Sequence, residues 1–240
     1  MPVNMALYSY VKITPQPLRR ILSYISVAMI VAGTSIFVWA IYPILMFELY
    51  YAPKFGTLLR PIPNEIIRTS IGTELSHVLG TQTADYTNAS IWFPKATGIK
   101  AAKEISSYQL SIPKLKIENA TVRIGGEDLS KSLIHFTGPS PGAIGNPVIF
   151  GHSTLLWFYN PRDYKSIFSK LPDLSYNDKI YLTSDNVTYI YSVSEMKITS
   201  PNDLSVLSQD DNDAYITLIT CVPPGTYLKR FIVKAKLETI

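Results

Sequence analysis

The chain of 240 residues is 47% hydrophobic and 17% charged, with 22 basic and 18 acidic side chains and a net charge of +4. That length fits one ordinary domain plus an appendage and excludes two large domains. Basic residues are spread out except at the N-terminus; the nearest candidate cluster, Lys229, Arg230, Lys234 and Lys236, alternates with apolar residues as a half-buried strand with a wet face, so no nucleic-acid footprint is visible. The single cysteine excludes an intramolecular disulfide, leaving packing to hold the fold.

Residues 1–20 carry Lys12, Arg19 and Arg20 and are expected to form a cytoplasmic tail. From Ile21 to Phe47 no residue is charged. The run is longer than the roughly 20 residues a helix needs to cross hydrocarbon, and membrane helices tolerate its Gly33 and Pro43. Residues 21–49 are therefore expected to be a transmembrane signal anchor. Tyr42 to Tyr51 offers no Ala-x-Ala cleavage site, which favours an uncleaved anchor over a removed signal peptide. The basic N-terminal flank places the tail in the cytoplasm and the remainder outside, by the positive-inside rule.

Residues 50–107 read as an extracytoplasmic stalk. Pro53, Pro61, Pro63 and Pro94 interrupt them without sustained periodicity, and a helix from Asn64 to Leu79 is weakened by Gly72. From Tyr108 the texture changes to short apolar or alternating runs. These are Gln109 to Ile112, Pro147 to Phe150, Lys179 to Thr183, Thr188 to Val193, Tyr215 to Cys221 and Leu228 to Leu237, separated by turn residues such as Ser184-Asp185-Asn186 and Pro223-Pro224-Gly225. Such punctuation predicts an all-β barrel or sandwich over 108–240. One stretch differs: Asn160 to Leu171 has helical spacing and is expected to be a short crossover helix.

Few residues could carry chemistry. Cys221 ends a strand and faces a Pro-Pro-Gly turn, where a side chain becomes accessible on a rigid backbone; taken alone, a cysteine there is as readily a small buried hydrophobe. His152 ends another apolar strand, and its ordinary pKa near 6.5 suits proton transfer to a leaving amine. His135 reads as a packed strand residue and His77 lies in the stalk. Arg230 opens the last strand. If that strand neighbours the cysteine strand, a guanidinium would favour the thiolate and hold an oxyanion. The rival is a solvated strand-edge arginine.

In combination these residues resemble the sortase family. Thr217-Leu218-Ile219-Thr220-Cys221 matches its Thr-Leu-x-Thr-Cys motif, Arg230 falls where that family has its essential arginine, and His152 ends a strand upstream as sortases place theirs. Leu110 to Ile117 looks like the opening strand of the sortase barrel. The resemblance implies a closed β-barrel of about eight strands. It also implies a thiol transpeptidase that needs no cofactor.

In that chemistry Cys221 attacks a Leu-Pro-x-Thr-Gly-like sorting signal, His152 is acid and base, and Arg230 holds the oxyanion, with Thr217 and Thr220 as substrate contacts. The implied partners are surface proteins bearing the signal and a peptidoglycan-precursor amine, at the cell membrane of a Gram-positive-type bacterium.

Some relatives bind calcium through acids in two loops. Here Asp203, Asp210, Asp211 and Asp213 supply one loop, while Phe136 to Phe150 contains no acid, so no metal is expected. Pilin-polymerising members resemble one another in an Asp-Pro-aromatic lid and a C-terminal membrane helix. Neither motif is evident, which favours anchoring of proteins to the wall. A cysteine peptidase that donates to water, and an anchored non-enzymatic β-barrel binding module, remain as alternatives.

Overall fold

The computed structural model describes residues 17–55, 85–93, 106–209 and 212–238. The expected helix over 64–79 and His77 lie outside these, as do Asp210 and Asp211. The chain divides into two compact units, Met1–Tyr42 and Pro43–Ile240.

In the first unit, helix α1 begins; it runs from Pro17 to Met46. Proline suits a first helical turn because its missing N–H has no acceptor there in any case. The hydroxyls of Thr34 and Ser35 donate to the carbonyls of Ile30 and Val31, so neither polar group faces outward unsatisfied. Among the described residues, one helical stretch, Arg20–Phe55, is long and apolar enough to cross a membrane.

The second unit is a closed eight-stranded barrel in the order β1-β2-β3-β4-β7-β8-β6-β5. Its strands are β1 (Ser107–Ile112), β2 (Ile117–Ile124), β3 (Leu133–Thr137), β4 (Val148–Phe150), β5 (Lys179–Ser184), β6 (Val187–Thr199), β7 (Tyr215–Val222) and β8 (Lys229–Leu237). β2–β3 and β4–β7 pair in parallel and the other neighbours antiparallel. Closure leaves no free sheet edge.

The interior is filled by alternate residues of the strands, among them Leu110, Val122, Leu182, Leu218 and Val233. Pro43–Phe55 also belongs to this unit: Phe47 and Phe55 join the same cluster, with the Phe55 ring edge-on to Phe231 at 4.6 Å.

Two local expectations are corrected. Leu110 to Ile117 is not one strand, because Pro113 starts a 3-10 turn and Lys116, at φ +56°, adopts the left-handed conformation that reverses the chain into β2. Nor does Asn160 to Leu171 form an α-helix. It is a chain of i to i+3 turns ending in a 3-10 helix at Leu171–Asp173, since the Phe168 amide donates to the His152 carbonyl and the Ser166 hydroxyl bonds Asn160. Those groups are then not available for an i to i−4 ladder.

Candidate active site

Strand register puts the three candidate residues on one row. β4 and β7 pair with Phe150 opposite Ile219, and β7 and β8 pair with Cys221 opposite Arg230. Side chains alternate along a strand, so Phe150, Ile219, Cys221, Ile232 and Arg230 all point away from the barrel interior. His152 follows two residues after Phe150 and continues that row. Phe150, Ile219 and Ile232 form an apolar floor one row below it.

Short hydrogen bonds lock the row together. The Gly151 amide donates to the Ile219 carbonyl at 3.1 Å, extending the parallel ladder past β4. Thr220 Oγ1 donates to the Gly151 carbonyl at 2.8 Å, and Ser153 Oγ donates to the Cys221 carbonyl at 2.5 Å. Gly151 is required there: a Cβ would lie 2.4 Å from the Phe168 ring and 2.6 Å from Leu133.

Thr217 and Thr220, the expected substrate contacts, are both buried. Thr217 Oγ1 donates to Asn146 Oδ1 at 2.7 Å, and Thr220 sits on the opposite face of β7 from Cys221. His135 pairs with the Tyr108 hydroxyl through Nδ1 and with the Gly138 carbonyl through Nε2, each at 3.2 Å, as a packed strand residue would.

Asp85–Phe93, within the span read as stalk, covers the row. Asn88 caps its single 3-10 turn by accepting from the Ser90 amide. Trp92 and Phe93 are fully buried against Phe150, with ring centroids 5.3 and 5.7 Å away, and the Trp92 ring lies 5.6 Å from that of His152. Arg230 is 1% exposed. One of its terminal nitrogens donates to the Trp92 carbonyl at 2.9 Å and the other to the Tyr227 carbonyl at 3.1 Å.

Sequence reasoning singled out none of the residues of this cover as functional. The local signals were Asn88 preceding a Ser at the capping position and the apolar Ile91-Trp92-Phe93 run within a polar segment.

Burial dominates the electrostatics. It pushes the Cys221 thiol up to about 11 despite the nearby Arg230 charge. It also pushes His152 down to about 4, against the opposing pull of Asp128 and Asp85. Both groups are thus neutral near pH 7, a thiol beside a free-base imidazole. His152 Nε2 and Arg230 Nε are buried without a hydrogen-bond partner. Each such orphan costs about 1–3 kcal/mol.

Asp203 accepts from the Ser205 amide and the Thr199 hydroxyl, and Asp213 is ion-paired with Lys236. Both of these acids in the β6–β7 connection therefore have protein partners.

The sequence profile of the sortase domain matches residues 110–238, which is the barrel from β1 to the end of β8. The chain belongs to the sortase family. Sortase A of Listeria monocytogenes serovar 1/2a is 36% identical over 94 residues, 39% of this chain and 39% of that protein. Sortase A of Streptococcus agalactiae serotype III is 32% identical over 74 residues, 31% of this chain and 30% of that protein. The matched stretches thus span less than two-fifths of the length of these curated relatives.

Among solved structures, sortase C-1 from Actinomyces oris superposes with a TM-score of 0.50 at 19% identity, covering 73% of this chain and 99% of that one. At that identity the likeness is one of sortase fold.

Proposed function

We propose that this sortase is a membrane-anchored cysteine transpeptidase that joins surface proteins to a cell-wall amine. The observation that carries this reading is the register: Cys221 directly opposite Arg230 on neighbouring strands, with His152 continuing the same row from β4.

The Cys221 thiol gives its proton to His152 as sulfur attacks the carbonyl carbon of the Thr-Gly bond in a Leu-Pro-x-Thr-Gly-like signal. Arg230 donates hydrogen bonds to the oxygen that becomes negative. Collapse of the tetrahedral intermediate breaks the C–N bond, and His152 returns the proton to the departing glycine amine. An incoming amine, from a peptidoglycan precursor, then loses a proton to His152, attacks the thioester and regenerates the thiol. No cofactor enters this cycle.

Within this reading residues 1–20 are a cytoplasmic tail, 21–49 the anchor, 50–107 an extracytoplasmic connector and 108–240 the catalytic barrel. The enzyme is of the protein-anchoring rather than the pilin-polymerising type. Thr217 and Thr220 act on substrate through the strand ends they fasten.

The burial of Cys221 supports a second reading, an anchored binding module with a core cysteine. Incubating the full chain in detergent with a Leu-Pro-x-Thr-Gly peptide and an amine separates them. The enzyme cleaves and transfers, and Cys221→Ala abolishes both while the barrel stays folded; turnover retained by that variant refutes the proposal.

A further inference from the structure

Beyond α1, the large apolar side chains that stay exposed fall mostly in three short runs, Leu49-Tyr50, Leu156-Trp157-Phe158 and Tyr227-Leu228. Among the described residues the others are Ile144, Tyr176 and Val187, each standing singly in sequence. Leu156, Trp157 and Phe158 are 43, 51 and 63% exposed, yet their turn is ordered by hydrogen bonds. The Phe158 amide donates to the Leu155 carbonyl at 2.9 Å, the Thr154 amide to Ser169 Oγ at 2.8 Å and the Tyr159 hydroxyl to the Leu115 carbonyl at 2.5 Å. Adjacent apolar side chains presented to solvent on an ordered backbone mark a contact surface.

Printed contacts join the three runs at one end of the barrel. The Leu155 side chain lies so close to Gly225 that a Cβ there would meet it at 3.2 Å, which sets the 156–158 turn beside the β7–β8 connection carrying Tyr227 and Leu228. Lys229, the next residue, is ion-paired with Glu48 at 3.0 Å, and Glu48 leads into Leu49-Tyr50. Glu48 is also the first charge after the apolar run that ends at Phe47. Lys54 Nζ stands 3.7 Å over the Tyr50 ring, a pairing of two residue types that anchor chains at membrane interfaces.

We propose that these runs form a lipid-contacting patch by which the barrel rests on the bilayer surface, with Leu156, Trp157 and Phe158 in the headgroup region. This rests on the reading of residues 21–49 as a membrane anchor. In that reading no spacer intervenes, because the apolar run is unfinished when the chain enters the barrel unit at Pro43, and Phe47 is already part of the barrel core. The Glu48–Lys229 pair then lies at the interface and brings Tyr227, Leu228 and the turn beside Gly225 to the same level. The bilayer is the apolar surface to which the chain is already tethered, whereas a protein partner must arrive from solution. His152 leads into this turn and Arg230 follows Leu228, so the patch holds the active row beside the bilayer. A membrane-held substrate is presented there at a raised effective concentration.

The test places one environment-sensitive fluorophore at a time on the full chain in phospholipid nanodiscs, with Cys221→Ala removing the native thiol. Phe158→Cys reports the patch and Ile25→Cys the anchor. Val187→Cys reports the opposite end of the barrel, since Thr199 pairs with Arg230 and Tyr191 with Leu237, which sends the start of β6 away from Lys229. With lipids brominated in the upper part of their chains, the label on Phe158→Cys should lose at least about half its emission, because interfacial apolar side chains enter about 5–10 Å. The label on Ile25→Cys should be quenched too, and that on Val187→Cys should not. A cooperative melt verifies each barrel, and Leu156→Cys replaces Phe158→Cys if that chain lacks one.

Quenching at Ile25→Cys without quenching at Phe158→Cys overturns the patch and leaves the anchor standing. Quenching at Phe158→Cys no greater than at Val187→Cys also overturns it. No quenching at Ile25→Cys overturns the anchor reading and the patch with it.

Discussion

Arg230 is held by the carbonyls of Trp92, Tyr227 and Lys229 and stands on β8 opposite Cys221 of β7, so its charge and its geometry make separable demands. A guanidinium donates two parallel hydrogen bonds, whereas an ammonium is a compact point charge. If Arg230 directs hydrogen bonds at a developing oxyanion, Arg230→Lys should lower turnover roughly 100- to 1000-fold, the scale of losing one such donor. Alkylation rate against pH in the same variant checks the alternative, because a thiol pKa rising in step with the lost activity would leave only electrostatic activation.

The buried pair also predicts the pH dependence of stability. His152 sits at about 4 when folded against an ordinary 6.5, so an unfolded chain takes up a proton there that the folded one refuses. Stability is therefore lost as pH falls from about 6.5 towards 4. Cys221 sits at about 11 against an ordinary 9.0, so stability is lost as pH rises from about 9 towards 11. At about 1.4 kcal/mol per pKa unit each arm amounts to about 3 kcal/mol. Melting temperature against pH should show His152→Gln flattening the acid arm and Cys221→Ala the alkaline arm; arms identical to wild type in both variants would contradict the assignment.

At the scale of elements, the active row depends on how tightly the end of β4 is laced to β7. Gly151 permits that approach, and a methyl group there would meet Phe168 and Leu133 at 2.4 and 2.6 Å. Gly151→Ala should destabilise the barrel by about 1–3 kcal/mol, the usual range for overpacking. It should also lower turnover beyond what residual unfolding explains, since His152 is the next residue. Denaturant titration together with turnover measured well below the midpoint checks both.

Much of this architecture was legible residue by residue. Ser184-Asp185-Asn186 announced the β5–β6 hairpin, and Asp185 and Asn186 indeed turn it with φ of +50° and +64°. The alternation of β8 and the apolar run of β7 marked both strands to within a residue or two. The helical spacing of Asn160 to Leu171 misled, because periodicity reports which side chains are buried and not where the backbone donors go. Ile167, Phe168 and Leu171 are buried as expected, but on turns.

At the scale of the whole molecule, closure of the barrel makes β4, β7 and β8 neighbours although long stretches of sequence separate β4 from the other two. The resemblance to the sortase motif suggested that Cys221, His152 and Arg230 belong together, and the topology supplies the row on which they stand. The cover formed by Asp85–Phe93 was not legible. Its role depends on contacts with residues far along the chain, Tyr227 and Arg230 among them, and local composition carries no trace of these.

Covalent catalysis by this chain requires that Cys221 carry the acyl half of a sorting-signal peptide. Intact-mass measurement of the full chain, quenched in acid during turnover of a Leu-Pro-x-Thr-Gly peptide without added amine, tests this most directly. The predicted result is a mass gain equal to the Leu-Pro-x-Thr fragment as its free acid less one water, located on Cys221 by fragmentation, discharged by an amine and missing in Cys221→Ala. Peptide cleavage that proceeds with no adduct at Cys221, or an adduct that persists in Cys221→Ala, would contradict it.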